Sequence, residues 1–250
     1  MFHKAFFFCL LATHLSLVAT KGDLIERIGP YLMPENHPIK TKLDTFFTQS
    51  RWTFNEKTME AGGFLNVHPQ KFSRAIVTKH PEFSGYVFKV YLDTQRYYLD
   101  LPEGEIWARR AEGANCVREV IERMGFHAMM KAPVKWIYRL PDQPKVPKGY
   151  IPKRFILVQE DMELVSNEEN RKLWKSDFIT PELLDKVHYV IKEVGLLDCA
   201  NVNNIPFSVD GKIAFIDTQT HHATKVFWDS LNRHLNEENR RYWKEITNQK

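Results

Sequence analysis

The densest run of groups able to do chemistry in this chain is Asp198-Cys199-Ala200-Asn201-Val202-Asn203-Asn204-Ile205. Thirteen positions beyond Asn204 stands Asp217, closing the apolar run Lys212-Ile213-Ala214-Phe215-Ile216. A carboxylate can take a proton from a hydroxyl, and carboxylate and amide oxygens suit a hard cation such as magnesium. A lysine, Lys89, interrupts the apolar run Tyr86-Val87-Phe88-Lys89-Val90-Tyr91-Leu92. Each feature has a plainer reading when taken alone. The first is a polar loop leading to a hairpin, and the second is an outward-facing edge lysine. His221-His222, close after Asp217, read most simply as part of a solvated loop. There is no His-Glu-x-x-His, Gly-x-Ser-x-Gly or paired-cysteine motif, so metalloprotease, serine hydrolase and zinc readings have no support.

The elements that must position these residues can be read from periodicity. Asp23 to Ile28 and Lys42 to Phe47 suggest short helical pieces. Phe64 to His68, Phe72 to Thr78 and Tyr86 to Leu92 alternate or are β-rich, which predicts three antiparallel strands. Residues 103–124 carry Ile106, Arg109/Arg110, Ala114, Val117, Val120 and Ile121 near a 3.6 period, with Gly113 as a weak spot and Gly125 as the stop. Val134 to Leu140 and Phe155 to Glu160 predict two strands joined by a proline-rich loop. Thr180-Pro181-Glu182 opens a helix that runs to Val194 and stops at Gly195. Asp210-Gly211 between two apolar runs predicts a hairpin over Ile205 to Asp217. Val226 to Thr247 reads as one amphipathic helix.

Three strands, a helix, two strands, a long loop, a helix, a polar loop and a hairpin follow one another in the order of protein kinases. The chain thus resembles the protein-kinase fold over about 160 residues, from near Gly62 to Asp217. It is most similar to exported kinase-like domains with Asp-x(5)-Asn and Ile-Asp-Thr in place of the usual catalytic loop and Asp-Phe-Gly. The resemblance implies an α+β, two-lobed fold, with a strand-rich N-lobe over 61–160 and a shortened helical C-lobe over 161–250. It implies that Asp198 is the base for the attacking hydroxyl and that Asn204 and Asp217 hold magnesium on the phosphates of ATP. Asn203 competes with Asn204 for that role. Lys89 would clamp the phosphates and Glu112 would orient Lys89, with Glu105, Glu119 and Glu122 as alternatives. The hinge near Glu160 to Met162 would meet adenine through its backbone. Departures are plain: no Gly-rich loop precedes Lys89, Leu196-Leu197 stand where His-Arg is usual, and 33 residues follow Asp217. That remainder cannot supply a full activation segment and the helices that bind a protein substrate.

Composition sets the wider frame. Hydrophobic residues make up 43% and charged residues 26%, the balance of a globular chain. The net charge of +4 comes from 35 basic and 31 acidic residues, interleaved without a basic block, so no nucleic-acid footprint is visible. Lys4, the apolar run beginning Ala5-Phe6-Phe7-Phe8, and the small residues Ala19 and Thr20 read as a signal peptide over 1–20. The mature chain is then expected in a secretory lumen, the periplasm or outside the cell. No second stretch is long enough for a span, so no membrane association is expected after signal removal. Residues 21–60 read as an N-terminal extension, and Cys116 and Cys199 as buried free thiols. Three functions stay open: an ATP- and magnesium-dependent phosphotransferase, a pseudokinase serving as a secreted binding or scaffold module for an unknown protein partner, and an unrelated α+β domain.

Overall fold

A computed structural model describes residues 26–69, 75–95 and 101–248 of the chain. The signal peptide read at residues 1–20 lies outside the described residues, as does the start of the strand read from Phe72.

A 3-10 turn at Gly29–Tyr31 precedes two short helices, α1 (Lys40–Gln49) and α2 (Glu56–Ala61). A reciprocal cap opens α2: the Thr58 amide donates to Asn55 Oδ1 at 2.9 Å and the Asn55 amide donates to Thr58 Oγ1 at 3.0 Å. Strands β1 (Ile76–Thr78) and β2 (Tyr86–Val90) precede the long helix α3 (Glu103–Arg123). Then come β3 (Met130–Lys131), β4 (Lys135–Arg139), β5 (Phe155–Glu160), α4 (Asn167–Lys175) and α5 (Pro181–Val194). Strand β6 (Ile213–Ala214) and helices α6 (Asp229–Asn232) and α7 (Glu237–Asn248) complete the described residues. The architecture is α+β. Four strands form an antiparallel sheet in the order β1-β2-β5-β4, and β3 pairs with β6 in parallel.

The sheet buries both faces. On one, Phe88, Tyr138, Ile156 and Val158 meet Leu43, Phe47 and Met59 of α1 and α2. The segment read as an extension therefore packs into the core of the sheet. On the other face, Ile137, Phe155 and Leu157 meet Ile106 and Trp107 of α3. The far half of α3 turns its Val117 and Ile121 to Leu184, Val187 and Ile191 of α5, in a cluster that also holds Phe215 and Trp243. Each such aliphatic side chain contributes about 1.5–3 kcal/mol by leaving water. Helix α3 is the element common to both clusters, so its rotation sets what faces the sheet and what faces the C-terminal helices.

Several sequence expectations needed revision. Phe64 to His68 is not a strand: Leu65 makes a single bridge to Lys79, and Asn66 takes a left-handed φ of 53° that breaks the extended run. Val226 to Thr247 is not one helix. It splits between α6 and α7, where Leu231 and Leu235 are buried and Asn236 caps the Asn239 amide at 2.9 Å. Helix α4 carries little apolar periodicity and escaped the sequence reading. The ends of α5 match their signals: Thr180 Oγ1 accepts from the Leu183 amide at 3.2 Å, and Gly195 closes the helix at φ 66°. The turn at Asp210-Gly211 is present, with the Ser208 amide donating to the Lys212 carbonyl at 2.9 Å and Gly211 at φ 78°. Cys116 and Cys199 are both free thiols, the first half-buried and the second buried. Among the described residues, no helix is long and apolar enough to cross a membrane.

Candidate functional site

Lys89 lies on β2, an inner strand, so both its neighbours in the sheet are strands rather than solvent. The register pairs Lys89 with Leu157, Val87 with Gln159, and Lys135 with Gln159. Side chains alternate across a sheet. Val87 and Lys89 of β2, Leu157 and Gln159 of β5, and Lys135 and Ile137 of β4 therefore share the face on which α3 packs. Lys89, Lys135 and Gln159 are 5%, 3% and 4% exposed. The two lysines on this buried face require partners, and the chain brings them from over 80 residues away.

Those partners are on the segment Ile216-Asp217-Thr218. Lys89 Nζ donates to the Ile216 carbonyl at 3.2 Å, and Lys135 Nζ donates to the same carbonyl at 3.1 Å. Lys135 Nζ also reaches Thr218 Oγ1 at 3.1 Å, and that hydroxyl donates to the Arg110 carbonyl at 2.9 Å. Arg110, buried on α3, places Nη1 2.5 Å from Asp217 Oδ1. The polar loop is tied to the same segment. Ile216 donates its amide to the Asn204 carbonyl at 3.0 Å, Cys199 Sγ donates to the Asp217 carbonyl at 3.0 Å, and Asn204 Nδ2 donates to the Asp198 carbonyl at 3.0 Å. Lys89, Arg110, Gln159, Met162, Asp198, Asn204 and Asp217 all line one cavity of ≈ 1050 Å³, at the upper end of the range for small-molecule sites.

Burial would push Asp217 up, but Arg110, Lys89 and Lys135 outweigh it and hold the carboxyl at about 2. Burial pushes Lys89 down to about 8, with Asp217 opposing and Arg110 assisting. Lys135 is pushed well below the ordinary lysine value by burial and then by Lys89. Burial and the Asp217 charge raise Asp198 above the ordinary carboxylate value. An acid whose pKa is lowered by folding binds fewer protons folded than unfolded. Its stabilising contribution is present above the unfolded value of 3.8 and is lost as the pH falls toward 2. The urea midpoint of the wild type is expected to drop between about pH 4 and pH 2. Asp217→Asn should drop less over the same window, while Asp210, also held at about 2, contributes equally to both proteins. Equal slopes would show that Asp217 does not carry this charge interaction.

The remaining expected residues fall elsewhere. Glu112, expected to orient Lys89, instead meets Arg27 Nη2 at 2.5 Å and His221 Nε2 at 3.3 Å. At about 100° per residue, a position two beyond Arg110 points to the opposite side of α3. Arg110 therefore occupies the place facing the site. Glu105 pairs with Arg27 and Arg109, and Glu119 and Glu122 are exposed. Glu160 turns its carboxylate to the Val134 amide at 2.8 Å, away from the cavity, whereas Met162 lines it. Arg110, Lys135 and Gln159 were missed as site residues. Arg110 stands four after Ile106 and four before Ala114, a charge on the apolar stripe of a helix. Lys135 repeats the signal of Lys89, a lysine inside an apolar strand.

Asn204 and Asp217, expected to hold magnesium together, both line the cavity, and the Asp217 carboxylate is paired with Arg110. Magnesium needs oxygen ligands held by one or two available carboxylates. The Asp217 carboxylate is taken by Arg110 and by a hydrogen bond from the Gln219 backbone, with two lysines beside it. The fold and site together define an α+β protein with a polar cleft beside a central antiparallel sheet, lined by basic and acidic side chains in equal number. Comparison with known protein families and with curated proteins finds no match to this chain.

Proposed function

We propose that the cleft binds a nucleotide-sized phosphorylated ligand of the ATP type and passes its phosphoryl group to a hydroxyl, with Asp198 as the base. The observation that carries this reading is the meeting of Lys89 with the Ile216-Asp217 segment, 127 residues away, across one cavity. In this reading the sheet and the C-terminal helices form the two lobes of a kinase-like arrangement. Lys89 and Arg110 face the phosphates, and the segment Glu160 to Met162 borders the base. Asp198 supports the chemical half: a carboxyl raised by burial is a better proton acceptor than a solvated one. Export to a secretory lumen would supply ATP, whereas a periplasm would not. The Arg110–Asp217 pair favours a second reading, a binding module without turnover, because it occupies the carboxylate that phosphotransferases of this kind give to metal.

Thermal unfolding with millimolar ATP tests the binding half, since a ligand taken only by the folded state raises its stability by mass action. An unchanged Tm, matched by silent calorimetry, would remove it. Gln159 sharpens the test. Its Oε1 has no hydrogen-bond partner among the described residues although the residue is buried and lines the cavity. A buried acceptor without a donor costs about 1–3 kcal/mol. Gln159→Leu is therefore expected to raise the Tm without ligand and to weaken nucleotide binding. A variant with lower Tm and unaltered affinity would show that Gln159 faces no ligand donor.

A further inference from the structure

We infer that the site takes a phosphate chain directly on Lys89 and Arg110, without a divalent ion, and that Asp217 is the counter-ion of Arg110 rather than a metal ligand. This rests on the proposed binding of a phosphorylated ligand in the same cleft. Three observations carry it. First, Asp217 Oδ1 sits 2.5 Å from Arg110 Nη1, a charge-assisted contact that a metal would have to displace. Second, Lys89, Lys135 and Arg110 approach this one carboxylate from β2, β4 and α3. With Asp198 beside Asp217 the charges are close to balance, so an entering anion is met by the two cations that line the cavity there, Lys89 and Arg110, rather than by a large net charge. Third, Arg110 is 3% exposed, lines the cavity, and has an Nε with no hydrogen-bond partner among the described residues. A buried guanidinium N–H left unpaired beside a cavity is a donor in want of an oxyanion.

Calorimetric titration with ATP and with inorganic tripolyphosphate, each in EDTA and in excess magnesium, decides the matter. Both are expected to bind in EDTA, with magnesium leaving affinity unchanged or weaker, because it neutralises the phosphates that the cations recognise. Asp217→Asn is expected to bind tripolyphosphate in EDTA roughly tenfold tighter, since one opposing charge is removed and Arg110 is released. A metal ligand predicts the reverse sign, loss of binding in that variant. Binding that is tenfold or more tighter with magnesium overturns the inference and leaves the ligand reading intact. Binding of ATP without binding of tripolyphosphate in either buffer overturns the phosphate site alone. Silence of every probe in both buffers removes the ligand reading and this inference with it. If Asp217→Asn proves unfolded by near-ultraviolet circular dichroism, the wild-type comparison in EDTA and magnesium still decides.

Discussion

Gly113→Ala is expected to destabilise the protein by about 3 kcal/mol or more, although alanine is the better helix former. Judged by helix propensity alone, the exchange in the middle of α3 should stabilise by roughly 1 kcal/mol. The packing decides otherwise. A Cβ at Gly113 would lie 2.0 Å from the Thr218 carbonyl oxygen and 3.0 Å from its carbon, and 3.1 Å from His221 Nδ1. The first two are backbone atoms, and Thr218 is fully buried, so neither can swing aside. Either α3 retreats from the Asp217 segment, or that segment moves away from Lys89 and Lys135. Both routes break the contact of Arg110 with Asp217. A Tm lower by roughly 6–12 °C is the expected reading for a chain of this length. Loss of nucleotide binding should accompany it even where the fold survives. A variant with raised Tm and full binding would mean that α3 and Thr218 are not in contact.

Asp198→Asn is expected to retain ligand binding and to cut phosphoryl transfer by about 10²- to 10⁴-fold, the usual contribution of a general base. The exchange keeps the size of the side chain and removes its capacity to accept a proton. It also removes a negative charge beside Asp217, one of the causes that raise Asp198, so the variant should unfold no earlier than the wild type. The rate in the wild type should rise with pH through the Asp198 pKa, because the ionised carboxylate is the active form. That limb should vanish in the variant. Single-turnover transfer to hydroxyl acceptors, measured with binding by calorimetry, separates the outcomes. Undiminished transfer in Asp198→Asn would end its role as base. Wild type that binds ATP and transfers to no acceptor would select the binding-module reading.

Much of this arrangement could be read along the chain, because local physics determines it. The ends of α5 follow from Thr180, Pro181 and Gly195, and the turn at Asp210-Gly211 follows from the φ that glycine tolerates. The residue types of the polar loop, and its thirteen-residue spacing to Asp217, were equally open to inspection. Lys89 stood out as a charge in an apolar strand. Two local expectations failed where a single residue countermanded the pattern. Asn66 broke the run from Phe64, and Asn236 started a new helix inside the segment from Val226.

Tertiary structure decided which charges face one another. The rotation of α3 about its axis is set by Ile106 and Trp107 against the sheet and by Val117 and Ile121 against α5. That rotation turns Arg110 to Asp217 and Glu112 to Arg27, a choice that two acidic-helix spacings could not make. The strand order β1-β2-β5-β4 put Lys89 on an inner strand and aligned Lys135 and Gln159 on its face. Gly113, a weak point by propensity, proved to be the place where the helix and the Thr218 backbone touch. Such pairings depend on groups about a hundred residues apart, and the free energy of a buried charge depends on its partners rather than on its neighbours in sequence. The residue types were set by the sequence, but the pairing of Asp217 with Arg110 was a matter of packing.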